Sequence, residues 1–126
     1  TEGKPGDVLV EFAGANNSLY IVKNAVLQTV PADKQPIGKY QYQVPFTNHR
    51  LILEKGAMVY LFSDGYADQF GGQYGKKFKY KQFQELLSVN AKADTSKQLD
   101  VLDTTFETWR GSLEQIDDVC VIGVRV

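Results

Sequence analysis

Two apolar runs in this sequence are each joined to carboxylates, and this arrangement constrains the fold more than any other feature. The first run, residues 57–63 (AMVYLFS), leads into Asp64-Gly65, and the second, residues 119–124 (VCVIGV), follows Asp117-Asp118. Since one run precedes its acid and the other follows its acids, antiparallel pairing would bring all these carboxylates to one end of a sheet. The sequence therefore predicts antiparallel β-structure with an acidic end.

Carboxylates gathered in this way suit a hard divalent cation. Oxygen ligands favour Mg²⁺ or Mn²⁺ over softer metals, and Gly65 has no side chain to keep a cation or its water from the main chain. The alternative is that Asp64 belongs to a turn after a strand and that Asp117 and Asp118 are loop residues before one. Each acid alone favours the turn interpretation, so the metal hypothesis depends on the surrounding segments.

Composition limits the function classes. A chain of 126 residues is one domain or part of one. Fourteen basic and fifteen acidic residues give a net charge of −1, so no overall field attracts nucleic acid or an anionic membrane. The chain begins at Thr1 rather than Met, which suggests a part of a longer protein.

Cysteine usage and hydropathy indicate a cytoplasmic location. Cys120 is the only cysteine, which excludes an internal disulfide and a cysteine-based metal cluster, and we expect it to be a core residue of its strand. No apolar stretch approaches the roughly 18 residues of a membrane span, and no signal peptide is visible.

The first half of the chain has the pattern of β-structure. Turn-forming residues separate short apolar or alternating runs at residues 8–12, 19–22 and 26–30. Alternation of Tyr40, Tyr42 and Val44 predicts a half-buried strand. Residues 54–56 (EKG), between residues 51–53 and the run from Ala57, predict a tight hairpin.

The second half changes to a helical period. Two amphipathic helices are predicted by apolar residues at three- and four-residue steps, namely Tyr80, Phe83, Leu86 and Leu87, then Leu99, Leu102, Phe106 and Trp109. Thr95 and Gln98 have capping-box spacing at the start of the second helix, and Gly111 lies where a C-cap is expected. Several strands, two helices and a closing strand predict an α+β fold, an antiparallel β-sandwich with helices packed on its outer face.

These segments together resemble a known family. Residues 61–70 (LFSDGYADQF) and 117–122 (DDVCVI) resemble the metal-dependent protein phosphatases of the protein phosphatase 2C (PPM) type. The closer resemblance is to the bacterial branch typified by the stage II sporulation protein E phosphatase domain. Residues 11–17 (EFAGANN) and 36–38 (PIG) resemble further segments of that branch, so the resemblance covers essentially the whole chain.

The resemblance implies a chemistry and a set of site residues. In that family two Mg²⁺ or Mn²⁺ ions per domain activate a water that attacks phosphoserine or phosphothreonine. By resemblance Asp64 and Asp117 are catalytic metal ligands, Gly65 lies beside the metal, and Asp118 has a supporting role because many relatives have Asn there. Asp68 is expected to hold a metal-bound water or an accessory cation, and a plain surface acid is an equal alternative.

The chain also departs from the family. The upstream aspartate and the Asp-x-x-Gly-His-Gly element have no counterpart, and the only histidine, His49, lacks flanking glycines and is expected in a loop or at a strand end. We therefore expect residues 1–126 to be the C-terminal portion of a single phosphatase domain of αββα architecture. Such a portion is expected to be inactive alone.

The resemblance further implies a setting. We expect the output domain of a bacterial signalling protein, with upstream sensor domains in the same polypeptide and a phosphoprotein substrate of the anti-anti-sigma type. No nucleic acid partner is expected, and tethering of the parent protein to a membrane stays open. A sandwich without its N-terminal part leaves a sheet face or edge uncovered, which predicts a homodimer. The competing interpretation is a non-catalytic interaction module on the same fold.

The glycine-rich segment at residues 71–77 (GGQYGKK) lacks the spacing and the Ser or Thr of a phosphate loop. A solvated glycine loop is the favoured interpretation. The functional alternative is a mobile flap whose Lys76 and Lys77 contact a phosphoprotein.

Overall fold

The structure, a computed structural model, describes residues 3–39 and 41–126. Its elements in chain order are β1 (Val8–Phe12), β2 (Leu19–Lys23), β3 (Val26–Val30), β4 (His49–Leu53), β5 (Met58–Phe62), β6 (Phe70–Gly71), β7 (Lys76–Lys77), α1 (Tyr80–Asn90), α2 (Thr95–Arg110) and β8 (Val121–Arg125).

The central layer is an antiparallel sheet of four strands in the order β3-β2-β5-β8. β5 and β8 pair antiparallel with Phe62 opposite Val121 and Met58 opposite Arg125, which confirms the pairing predicted from the two apolar runs. β1 and β4 form a separate two-stranded ribbon, and β6 and β7 form a short hairpin.

The central sheet packs between the helices and the ribbon. Because side chains alternate along a strand, one face presents residues such as Tyr60 and Phe62 to α1 and α2, where the buried cluster also includes Phe83, Leu87 and Phe106. The other face packs on the ribbon through a second buried cluster, which is made of Leu19, Ile21, Val30, Leu53 and Ala57. The predicted α+β sandwich with helices on its outer face is confirmed.

Aromatic rings hold the helix side together. Phe83 is fully buried, and its ring centroid lies 6.3 Å from Tyr20, 5.3 Å from Phe62 and 5.0 Å from Tyr66. Burial of such a side chain contributes about 1.5–3 kcal/mol. The helices are therefore anchored to the end of β5 that leads into Asp64.

The ribbon covers only part of the sandwich face. Leu61, Ile122 and Val124 belong to that face of β5 and β8 and are 44%, 50% and 52% exposed. We call these three residues the uncovered face. Cys120 is also exposed, so its assignment to the core was wrong, because it lies just before β8, the last strand of the sheet.

The capping-box prediction for the start of α2 was wrong. Thr95 is the first helical residue, Asp94 takes the N-cap position, and no side chain caps this end. Gln98 is instead buried, donates to the carbonyl oxygens of Ala91 and Ala93, and accepts from the hydroxyl of Tyr60 at 2.5 Å. The helix ends as predicted at Gly111, whose φ is 57° and whose N–H donates to the carbonyl of Glu107.

Leu99 was wrongly predicted to lie on the core face of α2, since it is 67% exposed. It lies with Val121 and Gly123 at the rim of the sheet, where β8 is the last strand. The other apolar positions of the stripe, Leu102, Phe106 and Trp109, pack against the helix-side core as predicted.

The hairpin prediction for residues 54–56 was also wrong. β4 pairs with β1, whereas β5 pairs with β2 and β8, so this turn connects the two layers of the sandwich. The crossing is held by the N–H of Gly56, which donates to the carbonyl of Val126 at 2.7 Å, and by Ala57, which is buried between the layers.

Residues 42 and 44 do not form the predicted strand. Tyr42 and Val44 are 72% and 59% exposed, and Tyr40 lies outside the described residues. The buried side chain of Gln35 bonds the main chain of Val44 in both directions, at 2.6 and 3.1 Å, in place of a strand partner. Over the described ranges, neither helix is both long and apolar enough to cross a membrane.

Candidate active site

Ser63 joins the end of β5 to the start of β8. Its N–H donates to the carbonyl of Cys120 at 2.9 Å, and its hydroxyl accepts the N–H of Cys120 and donates to the carbonyl of Asp118, each at 3.0 Å. The hydroxyl thus extends the hydrogen bonding between β5 and β8 beyond the last paired residues, Phe62 and Val121. This clamp brings the main chain next to Asp64 against the segment of Asp117 and Asp118.

Gly65 lies directly against this segment. A Cβ at position 65 would come within 2.1 Å of the carbonyl oxygen of Asp118 and 3.2 Å of the Val119 side chain. Glycine is therefore required here by close main-chain packing between the two acidic segments, independently of any role in metal binding. The contact places residues 65 and 118 side by side at one end of the sheet.

Asp64 is exposed, and its carboxylate accepts a hydrogen bond from the hydroxyl of Tyr80, the first residue of α1. The ring of Tyr80 lies 6.2 Å from that of Phe62, between centroids. Burial, followed by the hydrogen bond to Asp64 and its charge, raises the pKa of Tyr80 well above its usual value. Tyr80 therefore remains a proton donor to Asp64 at neutral pH.

This role of Tyr80 was not predicted from the sequence, in which the residue belongs only to the apolar stripe of α1. Lys79, with a φ of 77°, turns the chain immediately before the helix, and its N–H donates to the carbonyl of Ala67. A tyrosine at the first helical position gives no signal in sequence that its hydroxyl reaches residue 64.

Asp68 follows Asp64 by one turn, since its N–H donates to the carbonyl of Asp64 at 3.0 Å. Its carboxylate lies 3.6 Å from the ammonium nitrogen of Lys77, with both side chains partly exposed. An exposed pair of this kind is worth between zero and about 1 kcal/mol. It links the acidic turn to the β6–β7 hairpin.

Asp117 and Asp118 form an exposed turn before β8. One carboxylate oxygen of Asp117 accepts the N–H of Asp118 at 2.8 Å, and the Asp117 carbonyl accepts from the side-chain amide of Gln115 at 3.0 Å. The second Asp117 oxygen and the Asp118 carboxylate make no hydrogen bond within residues 3–39 and 41–126. Both acids thus keep ligand oxygens available.

The donor chemistry fits a hard cation, but the ligand count does not complete a site. Exposed carboxylate oxygens are what Mg²⁺ and Mn²⁺ prefer. Among the described residues, however, no three His, Cys, Asp or Glu side chains are grouped so that they could hold a metal ion. His49 starts β4 and stacks on Phe12 at 6.3 Å between ring centroids, in agreement with its prediction as a strand-end residue.

The glycine-rich segment is docked on the end of α2. A Cβ at Gly71 would lie 1.9 Å from the carbonyl oxygen of Trp109, and the N–H of Gly72 donates to that same oxygen at 2.8 Å. These glycines serve helix packing. Lys76 is exposed on the hairpin beside Lys77.

Comparison with known proteins identifies the family. The family model described as Stage II sporulation protein E (SpoIIE) matches residues 4–126. The chain belongs to this family of PP2C-like phosphatase domains. The resemblance found in the sequence is confirmed.

Solved structures agree with this assignment. The SiaA-PP2C domain of Pseudomonas aeruginosa is 28% identical with a TM-score of 0.86, over 94% of this chain and 46% of that one. The phosphatase domain of SpoIIE from Bacillus subtilis (Mn presoaked) is 14% identical with a TM-score of 0.62, over 95% of this chain and 56% of that one, and shows the fold alone. The chain therefore spans about half the length of the structures it matches. No curated protein sequence matches it significantly.

Proposed function

We propose that this chain supplies the Asp64 and Asp117 part of the metal centre of a protein serine/threonine phosphatase. The observation that supports the proposal is the Ser63 clamp, which fixes Asp64-Gly65 against Asp117-Asp118 at one end of the central sheet. Membership of the SpoIIE family supports a phosphatase domain of PP2C type.

Each residue has a distinct task in this proposal. Asp64 and Asp117 present oxygens to Mn²⁺ or Mg²⁺, Tyr80 orients the Asp64 carboxylate, and Ser63 keeps the two acidic segments in register. A bound cation supplies a lowered water pKa and offsets charge on the phosphoryl group. Asp68 contributes an outer oxygen that Lys77 holds in place.

The chain alone is proposed to be catalytically incomplete. Two cations need more ligands than the carboxylates found here, and the matched structures are about twice as long as this chain. We propose that a segment equivalent to the other half of those structures completes the site. The substrate would be a phosphoserine or phosphothreonine protein, such as an anti-anti-sigma-like regulator, in a cytoplasmic signalling pathway with upstream sensor domains.

Manganese titration of the 126-residue chain tests the ligands. We expect weak Mn²⁺ binding that Asp64→Asn and Asp117→Asn each weaken at least about tenfold, because each removes a charged oxygen donor. Asp100→Asn, an exposed acid on α2, is the matched control and should bind as the parent chain does. Unchanged affinity in both site variants would refute the assignment.

Hydrolysis of para-nitrophenyl phosphate tests completeness. We expect no manganese-dependent turnover by the chain alone, and robust turnover would contradict the proposed half-site. A non-catalytic interaction module on the same fold is the second candidate, favoured by the lack of a three-ligand group in the described residues. Equal Mn²⁺ affinity in the Asp64, Asp117 and Asp100 variants would support that candidate.

A further inference from the structure

A cavity of about 430 Å³ opens beside Asp64. Asp64 forms part of its wall, whereas Asp117 and Asp118 do not line it. The remaining wall comes from the turn before β2, from the end of β5 and from the first turns of α1, and includes Asn16, Asn17, Ser18, Tyr20, Tyr80 and Gln84. We call this cavity the Asn16 pocket.

The polar groups of the Asn16 pocket are held in place but keep bonding capacity. The Asn17 amide nitrogen donates to the carbonyl of Phe62 at 3.2 Å, and the Gln84 amide nitrogen donates to the hydroxyl of Tyr20 at 3.0 Å. Their amide oxygens make no hydrogen bond with other residues of the described ranges, and neither does the Asn16 side chain. Amide donors and acceptors thus line a preformed space.

The charge of the pocket selects its occupant. Asp64 is the only carboxylate in the wall, and no Lys, Arg or His side chain of the described residues lines it. In the metal-free chain, a phosphoryl or carboxylate group would meet the negative charge of Asp64 without a compensating cation, which is unfavourable. Neutral amide and hydroxyl groups instead match the N–H and C=O groups of a peptide, with the rings of Tyr20 and Phe62 as an apolar wall.

We infer that the Asn16 pocket binds the uncharged main chain and small neutral side chains next to the phosphorylated residue of a protein substrate. This inference rests on the proposed function, since it takes Asp64 as part of the reaction centre. An extended peptide advances about 3.3 Å per residue, so a residue one or two positions from the phosphoserine reaches a cavity whose wall contains Asp64.

A nuclear magnetic resonance titration tests the inference without catalysis. The probe is a capped neutral peptide, acetyl-Gly-Ser-Ala-Gly-amide, added to the ¹⁵N-labelled 126-residue chain without metal. We expect the side-chain amide signals of Asn16, Asn17 and Gln84 to shift. A second peptide with Asp in place of Ala should bind more weakly because of the Asp64 charge.

Three variants locate the binding. Asn16→Gly removes the Asn16 amide, and glycine tolerates the observed φ of 65°. Gln84→Ala removes the Gln84 amide. Ser18→Ala removes the hydroxyl of residue 18 and leaves the hydrogen bond between Gln84 and Tyr20 in place. Loss of one or two hydrogen bonds should weaken binding roughly threefold to tenfold. Gln82→Ala, an exposed glutamine of α1 outside the pocket, is the control and should bind as the parent chain does.

The outcomes separate the two proposals. Amide signals that do not move, or pocket variants that bind as tightly as Gln82→Ala, overturn the inference and leave the metal assignment standing. Peptide binding at the pocket together with unchanged Mn²⁺ affinity in both Asp64→Asn and Asp117→Asn supports the pocket as a peptide site and overturns the proposed metal site. Dispersed backbone signals in the same spectra show that each variant is folded.

Discussion

The two faces of the central sheet are built from the same strands but are covered to different extents. On the helix side of β5, Tyr60 and Phe62 are 1% and 9% exposed, whereas Leu61 between them is 44% exposed on the sandwich side. Ile122, opposite Leu61 on β8, is 50% exposed. Similar apolar residues are thus buried or left exposed according to the layer that lies against them.

The largest expected effect is on the helix side. Phe83→Ala removes a fully buried ring from the aromatic cluster, and we expect a loss of about 3–5 kcal/mol in the free energy of unfolding. Urea unfolding measures it. Ile122→Ala on the uncovered face is the matched comparison and should cost less than about 1.5 kcal/mol. Equal losses would remove the contrast between the faces.

The next effect is alkaline destabilisation through Tyr60. Burial raises the pKa of Tyr60 to about 12, although the charge of Arg125 lowers it. Since the folded pKa exceeds the unfolded value of about 10, this contribution is complete below pH 10 and is lost as the pH rises through 12. We expect unfolding free energy to fall by on the order of 2 kcal/mol over this range, and less in Tyr60→Phe. Identical pH profiles for the two proteins would contradict the prediction.

The uncovered face is expected to drive self-association. We predict a homodimer in solution, and Ile122→Lys should weaken it at least about tenfold because a charge would enter an apolar contact. Leu9→Lys, on the outer surface of the β1–β4 ribbon and 52% exposed, is the control for a different apolar site. Light scattering of the parent chain as a monodisperse monomer at all concentrations would argue against the prediction.

The smallest expected effect is at Leu99. Its 67% exposure predicts that Leu99→Ser changes the free energy of unfolding by less than about 0.5 kcal/mol. Leu87→Ser, at a buried position of α1, is expected to be several times more costly. A large loss at Leu99 would show that the rim beside β8 is covered in solution.

Much of the site geometry was predictable from the order in which the apolar runs and the acids follow one another along the sequence. The first apolar run precedes Asp64 and the second follows Asp117-Asp118, so the antiparallel rule alone placed both segments at one sheet end. The assignment of these acids as metal ligands stays a prediction. The Ser63 clamp and the Tyr80 hydrogen bond were not predictable, because they join residues 55 and 16 positions apart whose approach depends on the whole fold.

The predictions for Cys120, Leu99 and residues 54–56 failed for one reason. The apolar run that contains Cys120 does form β8 from Val121 onward, and the stripe at Leu99 is helical, but both residues lie at the edge of the sheet. The turn at residues 54–56 exists, yet it connects two layers because β4 pairs with β1. Partner choice and coverage involve residues far apart in sequence.

By itself, the sequence determined both helices, the strands β1 to β5 and β8, their α+β order, the family and the acidic ends of two strands. Tertiary structure alone decided how the strands other than β5 and β8 pair, which faces are covered, and that Gly65 is required by the carbonyl of Asp118. The physical reason is that backbone periodicity is a local property, whereas burial of apolar surface is non-directional and takes whatever partner the fold brings near.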